Sequence, residues 1–306
     1  MTNLKNIILT GATSMIGVAL INECIKANIK ATALVRKNSK NLFRIPKNNL
    51  IKIIECDLNE LSTLNLNETY DVFYHFGWEF TYHQKRNDME SQKINIKYSL
   101  DAVDLAKRLD CKKFIGAGSQ AEYGLKSEKI SPTTPCNPII AYGKIKYEVS
   151  KLTLKKCEEY DIIHVWVRIF SIYGIYENEN TMISQTIKKM LKGEIPSFTP
   201  SEQEWDYLFS EDAGRAFYLV GLNTNRNTIY CLGSGKTKKL KEYIQIIRES
   251  INPNSQVKIG ALPYSENQIM YLCADISDLA KDTGFIPKYS FEEGIAITIN
   301  FLKTTK

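Results

Sequence analysis

Three residues in the middle of the chain carry side chains that can move a proton to or from a carbon-bound oxygen. Ser119 follows the apolar run KKFIGAG, and Tyr142 and Lys146 stand four residues apart in AYGKIK. That spacing places the tyrosine and the lysine on one face of a helix, where an ammonium favours the phenolate. With Ser119 holding the substrate's oxygen, the three side chains would form a proton relay for hydride transfer.

A phosphate-binding turn is predicted near the N-terminus. The stretch LTGATSMIG places Gly11, Ser14 and Gly17 three residues apart, between a predicted strand and a predicted helix, which is typical of dinucleotide binding. Gly11 permits the tight turn, Gly17 allows close helix packing, and Ser14 replaces the usual middle glycine with a small residue that can donate to a phosphate. The alternative is a plain strand–turn–helix. The loop residues predicted to contact the cofactor are Gly11, Thr13, Ser14, Met15, Ile16 and Gly17.

The end of the second predicted strand indicates which dinucleotide binds. NAD sites usually carry an acidic residue there, which accepts a hydrogen bond from the ribose 2′-hydroxyl. Here the strand ends in ALVRKNSK, so the position holds Arg36. A cation attracts a 2′-phosphate and offers no acceptor to a bare hydroxyl, so the sequence favours NADP over NAD. The alternative is that Arg36 is a solvated strand-end residue.

The first half of the chain alternates short apolar runs with helical patterns. This alternation predicts an α/β fold, a Rossmann-type doubly wound parallel sheet, with a dinucleotide-binding domain over 1–170. After residue 170 the pattern fades, which predicts a smaller, less regular substrate lobe over 171–306, with some return of the chain to the first domain. Strands are predicted at 6–10, 30–35, 51–56, 71–76, 112–118 and 162–169, and helices at 15–27, 86–109 and 141–160.

Composition narrows the class of protein. The 306 residues are 43% hydrophobic and 24% charged, typical of a globular protein, and the net charge of +6 is scattered. Scattered charge suits an anionic small molecule and does not indicate nucleic acid. The seven cysteines form no Cys-x-x-Cys pair, so neither a metal site nor a disulfide framework is indicated. No run of eighteen apolar residues occurs, so we expect a cytoplasmic protein with no membrane partner.

These stretches together resemble the extended short-chain dehydrogenases/reductases that act on nucleotide sugars, the NAD(P)-dependent epimerase/dehydratase family. The resemblance runs along nearly the whole chain and includes ECDL (55–58), YHFGW (74–78), RIFSIYG (168–174), WDYLFSED (205–212) and CLGSGK (231–236). It implies a nucleotide-sugar substrate, Tyr142 as general acid/base, and a homodimer formed by the helices near 86–109 and 141–160. The implied further cofactor contacts are Asp57, Leu58, Phe76, Gly77, Trp78, Asn95, Tyr142 and Lys146. The implied substrate contacts are Trp78, Ser119, Gln120, Ser171, Trp205 and Arg215.

The sequence departs from the family pattern at several informative positions. Dehydratases of the family carry an acidic pair directly after the serine or threonine, whereas this chain has Gln120 and Ala121, so dehydration is not expected. Ser171 stands where the family usually has asparagine. Trp205 stands where an arginine commonly holds the substrate diphosphate, and Arg215 is one possible substitute for it.

Three functions fit these residues. The leading hypothesis is an NADP-dependent reduction of a nucleotide-linked 4-keto (deoxy)sugar, with Tyr142 as the general acid; by resemblance the product would serve polysaccharide biosynthesis. The main alternative is a nucleotide-sugar 4-epimerase that holds NAD tightly and uses the same residues. The third is a non-catalytic NADP-binding protein, which the presence of Ser119, Tyr142 and Lys146 disfavours.

Overall fold

The computed structural model describes residues 4–82, 84–266 and 268–304. Within these ranges the helices are α1 (Met15–Lys26), α2 (Met89–Arg108), α3 (Ala141–Glu159), α4 (Met182–Leu191), α5 (Ser210–Asn223), α6 (Leu240–Ile251), α7 (Ser277–Thr283) and α8 (Phe291–Thr304). The strands are β1 (Asn6–Thr10), β2 (Lys30–Val35), β3 (Ile51–Glu55), β4 (Val72–His75), β5 (Lys113–Ser119), β6 (Ile163–Ile169), β7 (Ser171–Tyr173), β8 (Glu204–Trp205), β9 (Tyr207–Phe209), β10 (Thr228–Leu232), β11 (Lys238–Lys239) and β12 (Tyr271–Leu272).

A seven-stranded sheet forms the centre of the molecule, in the order β10-β6-β5-β4-β1-β2-β3. Every neighbouring pair is parallel. The strand order reverses between β1 and β4, and ligands bind at the carboxyl ends of the strands beside such a reversal. The prediction of a doubly wound parallel sheet is confirmed.

Apolar helix faces cover both sides of this sheet, since strands buried on both faces need two layers of helices. On one side α1 packs against α5, and Gly214 lies so close to Ala19 that an added Cβ would be 2.4 Å from its carbonyl carbon. On the other side α2 packs against α3, and Phe73 and Phe114 stack in the core beneath them.

The remaining elements form the smaller lobe. Helices α4, α6 and α8 surround an apolar cluster of their own, and the short strands form two small sheets, β11-β8-β12 and β7-β9. The chain returns to the first domain in α5, which packs on α1, and in β10, which is the outermost strand of the large sheet. The smaller lobe therefore combines α4, which precedes α5 and β10 in the chain, with α6 and α8, which follow them.

The helices expected to form a dimer interface only partly present apolar faces. Ile94 is 40% exposed, but Val103 is fully buried in the core beneath α2. The sequence left open whether Val103 faces a partner or the protein's own core, and the structure places it in the core, because its side of α2 packs on the sheet; the homodimer itself stays a prediction. In the described ranges no helix is both long and apolar enough to cross a membrane.

Candidate functional site

One large cavity opens along the carboxyl edge of the sheet. Its walls come from the carboxyl end of β5, from the residues that follow β1, β2, β3, β4 and β6, and from α3, α4 and α8. The cavity volume is about 1720 Å³, whereas sites for one small ligand usually hold about 300–1,000 Å³. The space accommodates a dinucleotide together with a second molecule.

The turn between β1 and α1 is packed so closely that its glycines leave no space for a side chain. Gly11 has φ +66°, and an added Cβ would lie 2.8 Å from the backbone nitrogen of Gly77. At Gly17 an added Cβ would lie 2.5 Å from the carbonyl oxygen of Gly11. Ser14 is the N-cap of α1, and its Oγ accepts from the backbone N–H of Gly17 at 3.0 Å. The opening of α1 thus faces the cavity, as an anion site requires.

Two cationic side chains line one end of this cavity. Arg36 is exposed directly after β2. Arg44 donates from Nη1 to the Thr13 carbonyl oxygen at 3.4 Å, its guanidinium lies 4.9 Å from the centre of the Tyr176 ring, and its buried Nε has no hydrogen-bond partner among the described residues. Lys37 differs from both, because it is paired with Glu60. This end of the cavity fits a phosphate group.

The residues at 57, 58, 76 and 77 fall into two groups. Leu58, Phe76 and Gly77 line the cavity. Asp57 caps the short helical turn at 58–60, and its carboxylate accepts from the Lys37 backbone N–H at 3.2 Å, so it shapes the loop beneath the cavity.

The three predicted catalytic residues meet at the other end of the cavity. Ser119 ends β5, and Tyr142 lies in the first turn of α3; both residues line the cavity. Burial raises the pKa of the Tyr142 hydroxyl, while the positive charge of Arg86 and the Ser119 side chain lower it. The Tyr142 hydroxyl therefore carries its proton at neutral pH.

Lys146 lies one helical turn beyond Tyr142 and is almost fully buried. Its Nζ donates to the Ala117 carbonyl oxygen at 2.6 Å and sits 3.6 Å from the centre of the Trp78 ring. The centre of the Tyr142 ring is 5.8 Å from the same nitrogen. Burial lowers the pKa of Lys146, Glu122 opposes that shift, and Arg86 adds to it.

A buried ion pair supports Ser119 from below. Glu122 accepts from the Ser119 backbone N–H at 2.8 Å, from Trp166 Nε1 at 3.0 Å and from Arg168 Nε at 2.7 Å. Neither charged side chain reaches solvent, and Arg168 also donates to the Tyr123 hydroxyl at 2.9 Å. Breaking this network would leave an uncompensated charge in the core beneath Ser119.

Trp78 and Asn95 position the wall beside Tyr142. Trp78 lines the cavity, donates from Nε1 to Gln92 at 3.0 Å and meets the Tyr142 ring edge to face. Asn95 is buried; its side chain accepts from the Glu79 backbone N–H at 2.8 Å and donates to the Glu79 carbonyl. Asn95 thus holds the chain that leaves Trp78, and among the described residues that line the cavity it does not appear.

Four predicted substrate residues lie elsewhere. Trp205 donates from Nε1 to the Ser171 hydroxyl at 2.7 Å, so the polar groups of these two side chains are hydrogen-bonded to each other. Neither residue lines the cavity in the described chain. Gln120 begins the short helical turn after β5 and does not line the cavity either. Contrary to expectation, Arg215 does not line the cavity in the described chain: it lies on α5, where it pairs with Asp212 at 2.8 Å and donates to the Ile286 carbonyl oxygen, so its charge is compensated there.

The sequence reasoning missed Arg44, Arg86, Glu122 and Arg168. Arg86 and Arg44 lie in irregular segments with no periodicity to mark them, and Glu122 pairs with a residue 46 positions away. One signal was present: a carboxylate and an arginine inside otherwise apolar stretches, AEYG and VWVRIF, indicate a buried pair. No group of three or more potential metal ligands occurs in the ranges that the structure describes.

Comparison with known proteins links this site to one family. The model of the NAD dependent epimerase/dehydratase family matches residues 7–233. CDP-abequose synthase of Salmonella muenchen is 25% identical over 303 residues, which span 95% of this chain and 96% of that protein.

Solved structures share the fold over almost the full length. UDP-N-acetylglucosamine 4-epimerase from Methanobrevibacter ruminantium M1, in complex with UDP-N-acetylmuramic acid, aligns with a TM-score of 0.89 at 23% identity over 99% of both chains. UDP-glucuronic acid 4-epimerase from Bacillus cereus, in complex with NAD, aligns with a TM-score of 0.85 at 20% identity over 98% of this chain and 97% of that one.

Proposed function

Because the chain belongs to the NAD dependent epimerase/dehydratase family, we propose that it reduces a nucleotide-linked 4-keto sugar and draws the hydride from NADPH. The observation that carries this proposal is that Ser119, Tyr142 and Lys146 line one end of a cavity whose other end is lined by Arg36 and Arg44. Such a reduction needs a protonated acid beside the keto oxygen and cationic side chains that bind the 2′-phosphate of NADPH.

The residues present fit a dinucleotide. Gly11 and Gly17 let the turn after β1 pack closely against protein atoms, with no room for a side chain at either position, and the opening of α1 suits a diphosphate. Leu58 and Phe76 offer apolar walls. The unpartnered Nε of Arg44, next to Thr13, gives a phosphate on the ribose a donor that the protein itself does not use.

The chain's own residues then account for the proton. When bound, a reduced nicotinamide supplies the hydride to the keto carbon. The Ser119 hydroxyl holds the keto oxygen, and Tyr142 gives its proton to that oxygen as negative charge develops there. Lys146 and Arg86 supply positive charge beside the phenolate that remains. Glu122 fixes the Ser119 backbone, so the hydroxyl keeps its position throughout.

Two observations narrow the substrate and the reaction. The positions of the dehydratase acidic pair hold Gln120 and Ala121, which leaves no carboxylate there to take a proton from a sugar carbon. The similarity to CDP-abequose synthase over nearly the full length of both chains supports a nucleotide-linked deoxysugar as the substrate class.

A 4-epimerase with tightly bound NAD is the second candidate. The fold it would use is shared with the two 4-epimerases described above, and Ser119, Tyr142 and Lys146 would serve both directions of hydride transfer. Arg36 disfavours it, because a cation offers no acceptor to the free 2′-hydroxyl of NAD.

The experiment begins by denaturing freshly purified protein and identifying the released dinucleotide by mass spectrometry. The protein is then mixed with NADPH and a nucleotide-linked 4-keto-6-deoxysugar, and the nicotinamide absorbance is followed. We expect empty or partly NADP-filled sites and one NADPH oxidised per sugar reduced. Near-full occupancy by NAD, with interconversion of 4-epimers and no net NADPH oxidation, would replace the reductase by the epimerase.

A further inference from the structure

Two cations, rather than one, flank Tyr142. The guanidinium carbon of Arg86 lies 4.4 Å from the centre of the Tyr142 ring, and Lys146 Nζ lies 5.8 Å from it on α3. Lys146 already donates to the Ala117 carbonyl and lies against the Trp78 ring. The cation nearer to the Tyr142 ring is therefore Arg86, which comes from the connection between β4 and α2.

Hydrogen bonds to backbone carbonyl oxygens of that connection hold Arg86 in place. Arg86 Nη1 donates to the Thr81 carbonyl oxygen at 3.3 Å. Gln92 Nε2 donates to the carbonyl oxygens of Phe80 at 2.8 Å and of Lys85 at 3.0 Å, so the residue before Arg86 is tied to α2.

The residue after Arg86 is tied to the helix that carries Tyr142. Asn87 Oδ1 accepts from the backbone N–H of Ala141, the first residue of α3, at 3.1 Å. Consecutive residues of the connection thus meet consecutive residues of α3: Asn87 binds Ala141, and Arg86 covers Tyr142. This double contact fixes the guanidinium over the ring rather than leaving it in solvent.

The other charged and titratable groups near Tyr142 come from three elements. Ser119 and Glu122 approach from the end of β5 and the turn after it, Tyr82 from the same connection as Arg86, and Lys146 from α3. The Glu122 carboxylate is neutralised by Arg168. Burial raises the pKa of Tyr142, and the positive charge of Arg86 opposes that shift more strongly than Ser119 does.

We propose that Arg86 is an electrostatic positioning residue for Tyr142: it stabilises the phenolate left when Tyr142 gives its proton to the substrate oxygen. Burial lowers the pKa of Lys146, so part of the positive charge that a lysine would supply is lost there, whereas an arginine stays charged at every working pH. The expected effect of Arg86 on the rate rests on the proposed function. Its expected effect on the pKa of Tyr142 does not, because that pKa is a property of the protein without substrate.

The test compares the wild-type protein with Arg86→Gln, Arg86→Lys and Tyr142→Phe. The pKa of Tyr142 is read from the near-ultraviolet phenolate absorbance during pH titration, with Tyr142→Phe as the blank, and the pH profile of kcat is measured with NADPH and the keto sugar. We expect Arg86→Gln to raise the Tyr142 pKa by about one unit, since an opposite charge at this distance shifts a pKa by about 1–3 units.

The kinetic readouts separate this role from a structural one. As the acid, Tyr142 must be protonated, so kcat falls as pH rises through its pKa; in Arg86→Gln that fall moves to higher pH. At neutral pH we expect kcat of Arg86→Gln to drop about tenfold, because the phenolate that forms in the transition state is less stabilised without the guanidinium. A tenfold loss in rate corresponds to a barrier that is higher by about 1.4 kcal/mol. We expect the NADPH dissociation constant of Arg86→Gln to equal that of the wild type. In Arg86→Lys, which keeps the positive charge, we expect the Tyr142 pKa and kcat to return most of the way to the wild-type values.

An unchanged Tyr142 pKa in Arg86→Gln would overturn the inference, whatever happened to the rate. Equal losses in the Gln and Lys variants would do the same, because they would mean that the shape of the guanidinium, not its charge, is required. Failure of the proposed function has a different signature: Tyr142→Phe would keep its activity, while the spectroscopic titration would still report on Arg86. Arg226→Gln, which removes an exposed arginine paired with Asp282, controls for the change in net charge.

Discussion

The two ends of the cavity differ in how far their charged side chains are exposed to solvent. At the catalytic end, Lys146 is 4% exposed and Arg168 is 2% exposed, and their charges are bound to protein atoms or neutralised by Glu122. At the other end Arg36 is exposed. Charges in the low-dielectric interior interact strongly and leave large penalties when unpaired, whereas exposed charges are screened.

This difference implies a division of tasks. Under the proposed function the buried end carries the proton chemistry, and it is tied to the stability of the large sheet because Glu122 joins β5 to β6 through Trp166 and Arg168. The exposed rim would select the cofactor, and we expect substitutions there to leave the core undisturbed. Substitutions at the two ends should therefore differ in both size and kind.

The largest expected effect is at Tyr142. Tyr142→Phe removes the proton and keeps the ring that packs against Trp78 and Arg86, so we expect kcat to fall about 10³-fold, within the range typical of a lost general acid. NADPH binding, measured by fluorescence quenching, should change little. Steady-state NADPH oxidation gives the rate.

Tyr147→Phe is the matched control on the same helix, because it makes the same chemical change at a residue that does not line the cavity in the described chain. Its kcat should equal that of the wild type. If Tyr142→Phe and Tyr147→Phe were equally active, Tyr142 would not be the acid. The claim that the buried end of the cavity supplies the proton would then fail.

The next effect is on stability. Glu122→Gln keeps an acceptor for the Ser119 backbone and for Trp166 but leaves Arg168 as an unpaired buried charge. We expect the free energy of unfolding to fall by about 3 kcal/mol, measured by urea denaturation. Loss of activity should follow the loss of folded protein and a displaced Ser119.

An exposed carboxylate supplies the control. Glu90→Gln breaks a 2.6 Å pair with Lys93 in which both side chains are more than half exposed. The free energy of unfolding should change by at most about 1 kcal/mol, as is usual for surface pairs. Equal costs for Glu122→Gln and Glu90→Gln would contradict the claim that burial distinguishes the catalytic end.

The sequence predicted the regular parts of this arrangement well. The first strand, expected at 6–10, is Asn6–Thr10, and the helix expected at 141–160 is Ala141–Glu159, because apolar periodicity and the Gly11 turn mark both directly. The same periodicity does not say what a face packs against, which is why the sequence could not tell whether Val103 faces a partner or the core in which it lies.

Side-chain contacts between distant segments were beyond the sequence patterns. Ser171 and Trp205 both occupy positions that the family resemblance assigns to the substrate, yet they bind each other across β7 and β8. Arg86 reaches Tyr142 only because Gln92 and Asn87 fix an irregular connection. Such contacts depend on tertiary geometry, which no local spacing encodes.

The smallest effect is expected at the exposed rim. Arg36→Asp replaces a cation that attracts a 2′-phosphate by an acceptor for a ribose hydroxyl, so the dissociation constant for NADPH should rise about tenfold while that for NADH falls. Lys37→Asp makes the same charge change one residue further on, at a side chain already paired with Glu60, and should leave the NADPH-to-NADH preference near that of the wild type. Both constants are measured by fluorescence titration, and thermal unfolding should be unaffected, because Arg36 is exposed. If the two variants shifted the preference equally, Arg36 would act only through net charge, and cofactor selection would pass to Arg44, whose buried Nε has no partner in the described chain.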